Sequence, residues 1–143
     1  MTNTNANLPF VWKDEYSVGD ATIDRQHRDL IGLMNELYDL LSLPVSEQGE
    51  GMVDHLFGGL AEYIYTHFAY EEQRMVDARY PENLLAQHRG EHNAIVKKIR
   101  HFHIEVAEGN HDALQELLPF LYGDWLIHHI CESDMGYREY LTQ

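Results

Sequence analysis

The sequence predicts an all-α protein: an up-down-up-down four-helix bundle carrying an extended N-terminal arm. Three observations lead there. Four long segments repeat their apolar residues at alternating steps of three and four, the spacing of one helix face turned towards a core. Short links containing Pro, Gly and polar residues separate these segments. No stretch alternates apolar and polar residues with a period of two, so no strand is expected. With 143 residues the chain reads as one domain, with the arm over 1–20 and the bundle over 21–143. That length buries a core without disulfide staples.

In the arm, Pro9 and Gly19 are punctuation, and Phe10, Trp12 and Tyr16 are expected to pin it by burying aromatic area. The first helix is expected from about Thr22 to Ser42, with the stripe Ile23, His27, Leu30, Met34, Leu37, Leu41; Pro44 and polar residues end it. The second runs from about Met52 to Ala78 with Val53, Phe57, Leu60, Ile64, His67 and Glu71, and Met75 close behind. Gly58 and Gly59 weaken its middle by about 1 kcal/mol each relative to Ala. Pro81 suits a first helical position, and the third helix follows from about Glu82 to Ala107 with Leu85, His88, His92, Ile95, Ile99, Phe102 and Val106. Gly109 and Asn110 are its stop signals. The fourth runs from about Asp112 to Tyr140 through Leu114, Leu118, Leu121 and Trp125, with a kink expected at Pro119.

The formal net charge of −14 repels phosphate backbones and anionic lipid surfaces, so no nucleic-acid partner is expected. No apolar run approaches the roughly 18 residues of a membrane span, and no membrane insertion is expected. The first ten residues have neither a basic nor an apolar signal region, so no signal peptide is expected. The lone Cys131 permits no internal disulfide, consistent with a reducing, cytoplasmic setting. It is expected to be a buried small hydrophobe.

The 10 histidines equal Lys and Arg combined, and four of them interrupt the apolar stripes: His27, His67, His88 and His92. Glu71 follows His67 by one turn, and residues four apart lie one above the other on a helix face. Buried without partners, each such polar group costs about 1–3 kcal/mol, and a lone carboxylate far more. Against a typical total stability of about 5–15 kcal/mol, something must compensate. A metal ion does so by accepting imidazole lone pairs and neutralising carboxylates. His55, His101, His103 and His111 fall off the stripes or near loops and read as solvated. On the fourth helix, periodicity favours His128 with Glu132. At about 100° per residue, Asp134 falls about 140° from His129, so those two share a metal only if Pro119 shifts the phase or a π-bulge intervenes.

"HRGEH" at 88–92 matches the H-x-x-E-H pattern of a metalloprotease class, with Glu91 as the base. That reading leaves His27, His67 and Glu71 without a role. A ferritin-like carboxylate site needs two E-x-x-H motifs in helices, and the single one here, Glu108 to His111, falls in an expected loop.

The segments "IDRQH" (23–27), "HFAYEE" (67–72), "QHRGEH" (87–92) and "WLIHHICESD" (125–134), together with Trp12 and Met75, make the chain resemble a hemerythrin of the single-domain bacterial kind. The resemblance covers nearly the whole chain. It implies the four-helix fold and an oxo- or hydroxo-bridged pair of non-haem iron ions. His88, His92 and His129 would hold one iron and His27 and His67 the other, with Glu71 and Asp134 bridging. It thereby selects His129 and Asp134 over His128 and Glu132. It also implies reversible O2 binding at the iron with fewer ligands, beside an apolar pocket of Leu30, Phe68, Trp125 and Leu126. A non-enzymatic, monomeric role in oxygen carriage, storage or delivery to an oxidase is the expectation. The alternatives are an O2 or redox sensor signalling to a partner, or an iron- or nitric oxide-binding protein.

Overall fold

The computed structural model describes residues 9–141; the first eight residues of the expected arm and residues 142–143 of the expected bundle lie outside the described residues. Among the described residues the protein has four long helices, two short 3-10 turns at Asp14–Tyr16 and Val45–Glu47, and no strand. They are α1 (Ala21–Leu41), α2 (Glu50–Asp77), α3 (Glu82–Ala107) and α4, which starts as an α-helix at Asp112–Pro119. Without a break, α4 becomes a π-helix over Phe120–Ser133, a 3-10 turn over Asp134–Tyr137 and a last α-turn at Arg138–Leu141. α1 packs on α2 and α4, and α3 packs on the same two, the neighbour pattern of an up-down-up-down bundle.

Local chemistry sets the helix ends. The Asp20 carboxylate caps α1, accepting the Thr22 and Ile23 N–H groups at 3.0 Å each. Its other oxygen accepts Arg74 Nε at 2.9 Å, tying the start of α1 to the last turns of α2. Gly19, at φ 84°, supplies the left-handed residue before that cap. The arm is fastened by backbone as well as by aromatic area. The Asn35 side-chain amide accepts the Phe10 N–H at 3.1 Å and donates to its carbonyl at 2.9 Å. Tyr16 is buried, while Phe10 and Trp12 are half-buried against the core, with the Arg28 guanidinium 4.6 Å from the Trp12 ring. Pro81 lies one residue before α3 rather than at its first position.

Three stripe positions shift. Leu40, Tyr63 and Leu117 are buried where Leu41, Ile64 and Leu118 were expected, and the latter three are half-buried. In each case the two candidates are sequence neighbours about 100° apart, and both fall within the wide apolar face of a bundle helix, so packing chooses between a step of three and a step of four. The kink expected at Pro119 is instead a change of helix type. Proline removes one i→i−4 bond and crowds the carbonyl below it, and the chain continues with the wider turn.

Two apolar clusters result. The larger includes Leu30, Phe68, Ile95 and Ile130; the smaller is Val18, Ile23, Met75, Tyr80, Leu85 and Tyr137. On every helix a chemistry-bearing residue falls between them: His27 between Ile23 and Leu30, Glu71 between Phe68 and Met75, His88 between Leu85 and Ile95, Asp134 between Ile130 and Tyr137.

Candidate metal centre

Between the two clusters the four helices bring seven polar side chains together, all at most 2% exposed: His27, His67, Glu71, His88, His92, His129 and Asp134. α3 contributes His88 and His92 one turn apart, and α2 His67 and Glu71. On α4 the π-helical stretch does what a regular helix would not. Its buried residues run Leu121, Trp125 and Leu126, His129 and Ile130, then Asp134, a wider step that carries residues five apart onto one face.

The seven form two groups that share their carboxylates. Ligand atoms from Glu71, His88, His92, His129 and Asp134 all lie within 4.8 Å of one another, as do those from His27, His67, Glu71 and Asp134. Each carboxylate gives one oxygen to each group. Glu71 Oε1 is 2.9 Å from His88 Nε2 and 2.8 Å from His92 Nε2, while its Oε2 is 3.2 Å from His67 Nε2 and 3.7 Å from His27 Nε2. Asp134 Oδ1 is 2.8 Å from His88 Nε2 and 3.2 Å from His129 Nε2, and its Oδ2 is 3.2 Å from His27 Nε2.

The outer ring nitrogens set the tautomers. His67 Nδ1 donates to Gln26 Oε1 at 2.7 Å, His92 Nδ1 to Glu72 Oε2 at 2.7 Å and His129 Nδ1 to Glu91 Oε1 at 3.2 Å. An amide oxygen and two carboxylates can only accept, so Nδ1 carries the proton and Nε2 turns a lone pair inward. Glu72 is steadied by Arg89 Nε at 3.0 Å and Glu91 by Ser133 Oγ at 2.6 Å. Tyr137 donates its hydroxyl to Glu71 Oε2 at 2.8 Å.

The buried charges shift one another. Burial alone would raise the Glu71 carboxyl, yet the imidazoles of His67, His27 and His88 hold it well below its usual range. Asp134 is also lowered: burial and Glu71 push it up, but His129, His27 and His88 prevail. Burial opposes the charged imidazolium of His27 and His88, yet the Asp134 and Glu71 carboxylates beside them lift these groups to about 9 and about 10. Burial lowers His67. These mutual pairings do not satisfy the centre. Both nitrogens of His27, Nε2 of His67 and His129, and both oxygens of Asp134 are buried without a hydrogen-bond partner. Buried orphan lone pairs converging from imidazoles and carboxylates are what a metal ion satisfies, so the donor set fits metal.

The four residues expected beside this centre are buried: Leu30, Phe68, Trp125 and Leu126. Phe68 lies flat on His92, ring centroids 3.8 Å apart at 3°, and 5.7 Å from His67, so it borders both groups. His128 and Glu132 pair with each other on the exposed face at 2.8 Å. Glu91 stands behind His129 rather than at the centre, which removes it as the base of an H-x-x-E-H site. His55, His101, His103 and His111 are exposed, His103 stacking on Phe57 at 4.4 Å. Cys131 is half-buried against the core, short of the full burial expected.

Sequence reasoning did not find Gln26, Glu72 and Glu91 behind the histidines, or Tyr63 and Tyr137 beside them. Their one signal is adjacency. Gln26, Glu72 and Glu91 each directly neighbour a residue of the centre in sequence, and each reaches across to an imidazole on another helix.

Comparison with known proteins agrees with this geometry. Residues 18–141 match the hemerythrin HHE cation binding domain. A bacteriohemerythrin of Clostridium acetobutylicum is 34% identical over 133 residues, 92% of this chain and 98% of the relative. One from Stenotrophomonas maltophilia is 30% identical over 129 residues, 90% of this chain and 79% of the relative. Hemerythrin subunit alpha of Lingula anatina is 26% identical over 131 residues, 91% of this chain and 93% of that subunit.

Proposed function

The chain belongs to the hemerythrin family of non-haem iron proteins, and from this premise we propose that it binds dioxygen reversibly at a pair of iron ions. The observation that carries the reading is the unequal sharing of one buried centre. Two groups have Glu71 and Asp134 in common, one completed by three imidazoles and the other by two. His88, His92 and His129 would hold one iron, His27 and His67 the other, with the two carboxylates bridging. When bound in the ferrous state, the pair supplies the two electrons that dioxygen takes up and gives back.

The chain's own part is to hold, to leave room and to keep dry. The two-imidazole side has one donor fewer from the protein, and a small ligand would take that place. Leu30, Phe68, Trp125 and Leu126 are buried apolar residues; on this reading they keep water from the bound ligand, which slows proton-assisted loss of a reduced ligand. Five neutral imidazoles and two acids bring less negative charge than a carboxylate-rich site, suiting reversible uptake over oxidative chemistry. We therefore read the protein as a carrier, store or supplier of oxygen to an oxidase, rather than an enzyme. We place it in the cytoplasm as a monomer; among the described residues no helix is long and apolar enough to cross a membrane.

The test is to count iron per chain, then expose the reduced protein to dioxygen and remove it again. Two irons and a visible absorption band that appears and disappears over repeated cycles are expected. A single tetrahedral zinc, or irreversible oxidation in the first cycle, would overturn the reading, and the latter would favour a sensor.

A further inference from the structure

Two donors inside the protein have nothing to donate to: the Tyr63 hydroxyl and the Trp125 indole N–H, both buried without a hydrogen-bond partner. Tyr63 sits on α2 one turn before His67. Its ring stacks on that imidazole, centroids 5.1 Å apart at 21°, and Trp125 packs against Tyr63 at 5.7 Å. The tyrosine is 8% exposed. The other buried phenol at the centre is different, since Tyr137 spends its proton on Glu71 at 2.8 Å. A phenylalanine would fill the Tyr63 position without stranding a donor, so packing alone does not account for the hydroxyl. Tyr63 also stands on the two-imidazole side. With His67 it lines a cleft of about 530 Å³ between α1 and α2.

We infer that the Tyr63 hydroxyl is the hydrogen-bond donor to the outer atom of a small ligand held on the His27–His67 side, with the Trp125 N–H a second donor beside it. The ligand class is a two- or three-atom molecule that accepts there: dioxygen once electron density has moved onto it, or a compact anion such as azide. The inference rests on the dioxygen reading and deepens it. Tyr63 is then a positioning residue that favours ligands with a negative outer end.

The test is Tyr63→Phe in the full chain, read in two ways. In the oxidised, iron-loaded protein, azide binding is expected to weaken by about tenfold to a hundredfold, the worth of a hydrogen bond to a charged group. In the metal-free protein, the melting temperature is expected to hold or rise, because the change deletes an unpaired hydroxyl. Azide affinity within about twofold of the parent overturns the inference, as does a lowered melting temperature of the metal-free variant, which would mark a structural bond. If the parent protein takes up neither azide nor dioxygen, the functional reading falls and this inference with it. If the parent binds both and the variant is unchanged, the inference alone falls.

Discussion

The two sides of the centre differ less in the imidazoles themselves than in what stands behind them. On the three-imidazole side, His92 and His129 lean on carboxylates, Glu72 and Glu91, which are themselves held by Arg89 and Ser133. On the two-imidazole side, His67 leans on the neutral amide of Gln26, and the outer nitrogen of His27 has no partner at all. A carboxylate behind a histidine makes the imidazole a stronger donor. Under the proposed two-iron reading, the difference teaches that nearly the same parts make one firm position and one yielding position.

Removing what the sides share should erase the contrast. Glu71→Ala deletes a carboxylate common to both groups and leaves imidazoles buried without their counter-charge; iron content is expected to fall well below half of the parent value by elemental analysis. Retention of one iron per chain would show that the firm side stands without Glu71. Next in size, Glu72→Gln should weaken one metal position by about tenfold to a hundredfold, whereas Gln26→Leu should weaken the other by less. Competition against a chelator, followed as a biphasic titration, separates them; equal losses would mean that the backing charge is not what distinguishes the sides.

Proton release sharpens the contrast further. His27 and His88 are raised in the folded protein to about 9 and about 10, against about 6.5 for an unperturbed imidazole. Their stabilising charge is fully present below about 6.5 and lost as pH rises through the folded values. Glu71 and Asp134 are depressed, so their contribution is present above the ordinary carboxylate range of about 4 and lost as pH falls towards the folded values. The metal-free protein should therefore melt highest between about pH 5 and 6.5. Loading at neutral pH should expel protons, and more from the three-imidazole side, where His92 is raised as well while His67 is lowered. Calorimetry in buffers of different ionisation enthalpy reads this; metal uptake without proton release would contradict the assigned charge states. The smallest effect belongs to Arg89→Ala. Its half-exposed pairing with Glu72 is worth at most about 1 kcal/mol, so less than about fivefold in metal affinity is expected.

How far the sequence alone reaches depends on the regularity of the helix that carries each residue. All seven stripe residues of α3 are buried as its periodicity predicts, because that helix is uninterrupted. The same reasoning fails on α4, where a fixed 100° step points to His128 and Glu132, both exposed. There the resemblance, not the spacing, singles out His129 and Asp134. The π-helix explains why, since its wider turn begins directly after Pro119 and carries residues five apart onto one face, which a fixed 100° step cannot follow. Gln26, Glu72 and Glu91 stayed hidden for another reason. They lie beside the stripes, and their partners are on other helices, so no spacing along the chain records the pairing.

The 14-residue wide-turned stretch of α4 has a cost and a use. Deleting one residue between Ile130 and Ser133 would place the aspartate four positions after His129, within reach of an ordinary, tighter coil. Such a shortened chain would regain local regularity and aim its acid from a different height, out of step with the three helices opposite. The loosened thread of that one rod is thus what sets the centre's gauge, and it leaves the last helix unable to slip by a turn without losing its grip.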